Sequence, residues 1–134
     1  PEQIYELFQQ RYIELSSPLL LKSFTIEKAE HETIRGKIEL EGEMFEVSGK
    51  GSGMLEAFVD ALEHTFGMEL QILEYGEHAL SQSANADAVT YLQVKYEGKF
   101  FTGIAIDEDI VTSSVNALLN AVSQVLRARR QAAA

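Results

Sequence analysis

Val47-Ser-Gly-Lys-Gly-Ser-Gly-Met-Leu-Glu-Ala-Phe-Val-Asp-Ala-Leu62 changes its hydrophobic period halfway along. Before the glycines the pattern suits a short strand over residues 44–49. After them Leu55, Phe58, Val59 and Leu62 recur at helical spacing, which predicts a helix from about Ser52 to Thr65. Gly49, Gly51 and Gly53 alternate through the junction and let another backbone or a ligand come close. A helix opening here aims its unpaired N–H groups at the loop, where a carboxylate is stabilised. The glycines equally suit a tight strand-to-helix turn without a ligand, and the residues alone leave both readings open. Ser52 is the expected N-cap, and Phe66-Gly67 the C-terminal stop.

Upstream, residues 19–30 alternate, placing Phe24 and Ile26 on one face with Leu20 and Lys22. Residues 32–41 alternate through Ile34, Gly36, Ile38 and Leu40, and Glu41-Gly42-Glu43 is a hairpin signal. Residues 2–15 read as an amphipathic helix with Ile4, Leu7, Phe8 and Tyr12 on its stripe, opened by Pro1 and closed by Pro18. Downstream the order returns. Residues 68–80 form a long strand, with Leu70, Ile72 and Glu74 on one face and Leu73 and Tyr75 on the other. A polar loop over 81–87 follows, then strands over 88–96 and 100–106 around the turn Glu97-Gly98-Lys99. Asp107-Glu-Asp109 opens a helix to about Arg129, striped by Val111, Val115, Leu118, Leu119, Val122 and Leu126.

Moving the chain by 56 residues lays Glu41-Gly42 on Glu97-Gly98, Phe45 on Phe101, Val59 on Val115 and Ala61-Leu62 on Ala117-Leu118. Such self-similarity predicts an internal repeat. The fold class is therefore α+β: two pseudo-twofold related βββα units, each sheet covered by a helix, preceded by a short linker helix. The corners at 49–53 and 103–107 become related positions, and a groove where the halves meet is a natural ligand site.

Composition narrows the function. With 46% hydrophobic residues over 134, the chain can build one cored domain. No cysteine is present, so disulfides, thiol catalysis and Cys-based zinc sites are excluded, and a cytoplasmic location is expected. No apolar run approaches the roughly 18 residues of a membrane span. The chain opens on Pro1 and reads as a fragment or processed product. A net charge of −10 repels phosphate backbones, so no nucleic-acid partner is expected. The basic group Arg127, Arg129 and Arg130 is accounted for by the helix C-terminus it occupies.

Nothing assembles a complete active site. His31, His64 and His78 lack partners at metal-ligand spacing. Asp107, Glu108 and Asp109 lack the glycine and downstream Glu of a calcium loop, and acidic residues favour a helix start in any case. Ser52 is not in a Gly-x-Ser-x-Gly elbow, and the glycine loop matches neither a P-loop nor a dinucleotide fingerprint. No catalytic residue, metal or cofactor is assigned.

Four segments in order, Gly49-Lys-Gly-Ser-Gly-Met-Leu-Glu-Ala-Phe-Val, Leu73-Glu-Tyr-Gly-Glu-His-Ala-Leu, Ala86-Asp-Ala-Val-Thr-Tyr and Gly103-Ile-Ala-Ile-Asp-Glu-Asp-Ile-Val-Thr-Ser-Ser, resemble the C-terminal regulatory domain of 2-isopropylmalate synthase, the first committed enzyme of leucine biosynthesis. The resemblance spans about residues 19–130. It implies two βββα units (18–67 and 68–130), homodimerisation, leucine bound between units as a feedback inhibitor, and a linker over 1–17 leading to an N-terminal TIM barrel. That barrel, an acetyl-CoA-dependent acyltransferase with a divalent metal on a His-x-His pair, needs about 250 residues. The present chain has neither that length nor that pair, so no enzyme activity is expected of it.

The resemblance also implies a leucine site. Gly51 and Gly53 would meet the amino acid's charged end. Leu55, Ile72, Tyr75 and Ala79 would wall its side chain, Ala86 and Ala88 would close the pocket, and Ile104 and Ile106 would contribute from the matching corner. Ser52 stands where the family often has Asn, Met54 where Pro is common, and Ile106 where Pro or another residue can occur. Two alternatives stay open: the isoleucine-binding domain of citramalate synthase, which shares the architecture, and an oligomerisation module without ligand. A small enzyme is disfavoured for want of a catalytic constellation.

Overall fold

A computed structural model of the chain describes residues 19–79, 88–107 and 109–133. The helix expected over 2–15 and the loop residue Ala86 lie outside them. The described elements are β1 (Leu19–Lys28), β2 (Glu32–Leu40), β3 (Glu43–Gly51), α1 (Met54–Phe66), β4 (Gln71–Ala79), β5 (Ala88–Tyr96), β6 (Lys99–Asp107) and α2 (Ile110–Ala133). They form two antiparallel three-stranded sheets, β1-β2-β3 and β4-β5-β6, each followed by its helix. The expected α+β pair of βββα units is the observed fold.

The repeat is closer in space than in sequence. The offset of 56 carries β2 onto β5, β3 onto β6 and the start of α1 onto the start of α2. Both hairpins close with two residues of positive φ, Glu41 (51°) and Gly42 (84°), then Glu97 (50°) and Gly98 (77°). This is the turn whose twist matches antiparallel strands. The first strands follow a different offset. Leu21 faces Ile38 and Ile72 faces Val94, so β4 sits 51 residues after β1. The second unit gains its extra residues between β4 and β5.

Each first strand carries a β-bulge, at Leu21/Ser23 in β1 and at Ile72/Glu74 in β4. An extra residue reverses the alternation beyond it, and this corrects two expectations. In β1 the core face holds Leu19, Leu21, Phe24 and Ile26, while Leu20 is 45% exposed and Lys22 points to solvent. In β4 Tyr75 shares a face with Ile72 instead of opposing it, and Leu73 is exposed.

Two further expectations shift. Ser52 does not cap α1; Gly53 is its N-cap, with extended backbone (φ −147°) and no side-chain cap hydrogen bond. The second helix begins at Ile110 behind Asp109 and runs to Ala133. Gly67 (φ 63°) ends α1 in the left-handed conformation that glycine adopts freely, and its N–H and that of Met68 reach the Glu63 carbonyl.

The helices lie close to their third strands because glycine lets them. A Cβ at Gly49 would strike the Ala57 carbonyl and the backbone of Ala61; one at Gly103 would strike the Ala117 carbonyl and the Ala121 nitrogen. Helix α1 covers β3 and β2, while α2 covers β6 and β5 and also reaches β1 of the first unit. Phe58, Leu62, Ile34, Ile38, Leu92, Val94, Leu118 and Val122 are fully buried in the shared core. The units are tied reciprocally. Ser123 on α2 accepts a hydrogen bond from the Leu19 N–H (3.0 Å), and Glu63 on α1 accepts one from the Leu70 N–H (2.9 Å). Arg129 donates to the Phe66 carbonyl at the end of α1 (2.7 Å), and Arg130 pairs with Glu41 in the first hairpin (2.6 Å).

Candidate functional site

The two units differ in side-chain chemistry where α2 begins. In the first unit Phe24 of β1 meets Phe58 of α1 edge to face, ring centroids 5.5 Å apart. Phe24 faces Gly36 and Tyr75 faces Leu92, so Tyr75 is the counterpart of Phe24, and Ser114 that of Phe58. There the contact is polar: Tyr75 Oη lies 2.7 Å from Ser114 Oγ. Ser114 also donates to the Ile110 carbonyl (2.8 Å). A hydroxyl carries one hydrogen, so Tyr75 is the donor to Ser114. The lone pairs of the tyrosine oxygen are left to accept from a group outside. Tyr75 is 43% exposed, and such a group can reach it.

The neighbouring pair changes in the same sense. Thr90 and Ser113, both fully buried, stand where the first unit has Ile34 and Ala57. Ser113 Oγ lies 2.6 Å from Thr90 Oγ1 and 3.2 Å from the Ala105 carbonyl. Two hydroxyl pairs thus lie near the second corner, one buried and one including a partly exposed tyrosine. Sequence reasoning missed Thr90, Ser113 and Ser114. The signal was available: at the offset of 56 they are polar residues lying over apolar ones.

The two corners also differ at their caps. Asp109 caps α2, accepting from the Val111 N–H (3.3 Å) and the Thr112 hydroxyl (2.7 Å), and Asp107 accepts from the Asp109 N–H (2.8 Å). The Thr112 hydrogen bond holds the Asp109 carboxyl below its ordinary pKa. This is the expected helix-start role for Asp107 and Asp109; Glu108 lies outside the described residues. Helix α1 has no equivalent side-chain cap, so its first N–H groups face the Gly51–Gly53 corner. Among the described residues no three His, Asp or Glu side chains converge as metal ligands, and no helix is long and apolar enough to cross a membrane.

The residues named from the sequence fall into three groups. Gly51, Gly53 and Leu55 belong to the first corner. Gly51 is packed by its own helix, a Cβ there lying 2.6 Å from the Ala57 nitrogen, whereas Gly53 is approached only by the flexible Glu56 carboxylate. Ile72 and Tyr75 lie on the helix-facing side of the second sheet, and Ala79 and Ala88 are the last pair of the β4–β5 ladder. Ile104 and Ile106 lie on the opposite side of that sheet, because Gly103 and Ala105 take the side facing α2. Neither β3 nor α1 packs extensively on β4 or β6. The structure therefore sets Ile72 with Tyr75 on one face of the second sheet and Ile104 with Ile106 on the other, while the glycine corner belongs to the first unit. Ala86 is outside the described residues.

Comparison with known proteins adds to this geometry. The chain is 28% identical over 135 residues to a 2-isopropylmalate synthase of Helicobacter hepaticus, 35% over 125 residues to one of Thermobifida fusca and 32% over 130 residues to one of Rhizobium meliloti. These matches take in 94%, 92% and 93% of the chain and 24%, 22% and 23% of the respective relatives. The chain thus spans under a quarter of the length of these synthases. The family model described as the LeuA allosteric (dimerisation) domain matches residues 1–126. With two βββα units and near-complete coverage by that model, the chain belongs to the LeuA allosteric (dimerisation) domain family.

Proposed function

We propose that the chain is the leucine-sensing regulatory part of a 2-isopropylmalate synthase, binding leucine as feedback inhibitor and holding the enzyme as a homodimer. The observation that carries the leucine reading is the Tyr75–Ser114 pair. A free amino acid needs an acceptor for its ammonium, donors for its carboxylate and an apolar wall for its side chain. The Tyr75 oxygen is an acceptor on a half-exposed residue that shares a sheet face with Ile72, and the open N-terminus of α1 at Gly51–Gly53 suits a carboxylate. These parts lie in different units, whose α1 and β4 do not pack extensively on each other within one chain. A leucine touching both is completed by a second copy, which favours the dimer. Acyl transfer belongs, on this reading, to a catalytic barrel outside this chain; the chain itself is assigned no catalytic residue and no cofactor. A cytoplasmic location goes with the cysteine-free composition.

Coupling of about 1–3 kcal/mol between effector and catalytic sites is typical of such regulation. Titration calorimetry with leucine, isoleucine and valine tests the reading. Heat and thermal stabilisation strongest with leucine are expected. A stronger response to isoleucine would transfer the domain to the citramalate synthase type. Silence toward all three at millimolar concentration would leave an oligomerisation module and end the sensing proposal.

A further inference from the structure

The repeat supplies an internal control for how each hairpin is covered. The two first strands begin alike, the Leu19 N–H held by Ser123 of α2 and the Leu70 N–H by Glu63 of α1. Beyond that point the helices differ. Gly67 ends α1, and at the offset of 56 Ser123 stands in its place. Helix α2 does not stop there; it continues through Arg127, Arg129 and Arg130 to Ala133. This extension brings a guanidinium to the first hairpin, where Arg130 donates to the Glu41 carboxylate (2.6 Å). The second hairpin presents the same carboxylate without such an arm. Glu97 (φ 50°) and Gly98 (77°) repeat the backbone of Glu41 (51°) and Gly42 (84°). Between the end of α1 at Gly67 and this turn lies an open groove of about 720 Å³, within the size range of ligand clefts. Its apolar members are Met68, buried, and Leu70 and Tyr96, partly buried. Glu69 and Glu97 carry its negative charge, and Lys95 is the one cation among the lining residues. Neither carboxylate has an ion-pair partner among the described residues. Tyr96 stands where the first hairpin has Leu40, so an aromatic ring adjoins Glu97 in the second unit alone.

We propose that this groove receives an arginine-bearing helix end from a different polypeptide, as the first hairpin receives the end of α2. The chemistry selects the side chain. A guanidinium pairs with a carboxylate through its N–H fork and stacks on an aromatic face, and Glu97 with Tyr96 offers both. The net charge of −10 draws a basic partner in and repels an acidic one. Arg129 and Arg130 of this chain are already engaged, by the Phe66 carbonyl and by Glu41, so the chain's own helix end does not supply the arm. The inference stands apart from the leucine reading, because the groove lies at the hairpin end of the sheet and Tyr75 and the glycine corner lie toward the other end.

The test titrates the isotope-labelled chain with a synthetic peptide of the sequence Leu119–Ala133, the segment whose arginines serve the first unit, and follows backbone amide shifts by nuclear magnetic resonance. Saturable shifts are expected to concentrate on Gly67, Glu69, Glu97 and Gly98. Glu97→Gln, at an exposed position where folding is not at stake, is expected to weaken the peptide by about fivefold, while Glu41→Gln leaves its affinity at the second hairpin unchanged. A peptide with glutamine in place of all three arginines is expected to produce no shifts there. A second readout uses free guanidinium-bearing arginine as the probe, and the same amides are expected to move. Shifts confined to the first hairpin, an affinity indifferent to Glu97→Gln, or equal binding of the glutamine peptide each overturn the proposal. So does the absence of any shift at millimolar peptide, including the case where residues 1–18 of the same chain fill the groove.

Discussion

The Tyr75 and Ser114 hydroxyls, 2.7 Å apart, occupy the places that the Phe24 and Phe58 rings fill in the other half of the molecule. One backbone arrangement therefore carries an aromatic contact in one unit and a hydrogen bond in the other. The difference is chemical, not topological, and it falls at the second corner.

Tyr75→Phe tests what the hydroxyl is for. Ser114 keeps its bond to the Ile110 carbonyl, so the loss in stability is expected to be small, about 0.5–1.5 kcal/mol. Leucine affinity is expected to fall by tenfold or more, since a charged ammonium loses its acceptor at about 1.5–3 kcal/mol. Chemical denaturation and calorimetry on the same variant separate the two. Unchanged affinity would remove Tyr75 from the ligand.

The buried hydroxyl pair predicts strong non-additivity. Ser113→Ala alone leaves the Thr90 hydroxyl buried without its partner, at a cost of about 1–3 kcal/mol. Thr90→Ile combined with Ser113→Ala restores the pairing of the first unit and is expected to recover most of that loss. Denaturant midpoints of the four proteins measure the coupling, and strictly additive effects would show that the two side chains do not share a bond.

The glycines of the first corner separate packing from binding. Gly49→Ala and Gly103→Ala each drive a methyl into a helix carbonyl, and a loss of about 1–3 kcal/mol or more is expected. Gly53→Ser has extended backbone and a movable neighbour, and it sets a serine three residues before Glu56 as a capping box. Its thermal stability is expected to rise by a few tenths of a kcal/mol. Its leucine response is expected to weaken, because the new hydroxyl takes an N–H that the carboxylate would use. A variant that is both more stable and fully leucine-responsive would clear the helix start of any ligand role.

Asp109 gives a pH signature. Its folded pKa is depressed by the Thr112 hydrogen bond, so the stabilisation is present above the unfolded value, about 3.9. It is lost as pH falls through the folded value. Asp109→Asn retains a capping side chain that does not titrate. Thermal melts between about pH 6 and about pH 3 are expected to show a shallower acid decline for Asp109→Asn than for the wild type. Parallel curves would mean the cap does not sense protonation.

Short-range patterns in the sequence determined a great deal. Strand and helix order, both Glu-Gly hairpins, the Gly67 stop and the offset of 56 all depend on neighbouring residues or on direct self-comparison, so no coordinates were needed. The glycine corner was legible as a close approach, but not which atoms approach: Gly49 and Gly51 meet α1, while Gly53 meets only the end of Glu56. Tertiary structure alone decided which face each residue takes beyond a bulge. One extra residue at Lys22 or Leu73 turns the following side chains over, and composition does not mark it. That turn brings Tyr75 to Ser114 across 39 residues. It also fell to the structure to put Ile72 and Ile104 on opposite sides of one sheet, since face depends on pairing register, a long-range property.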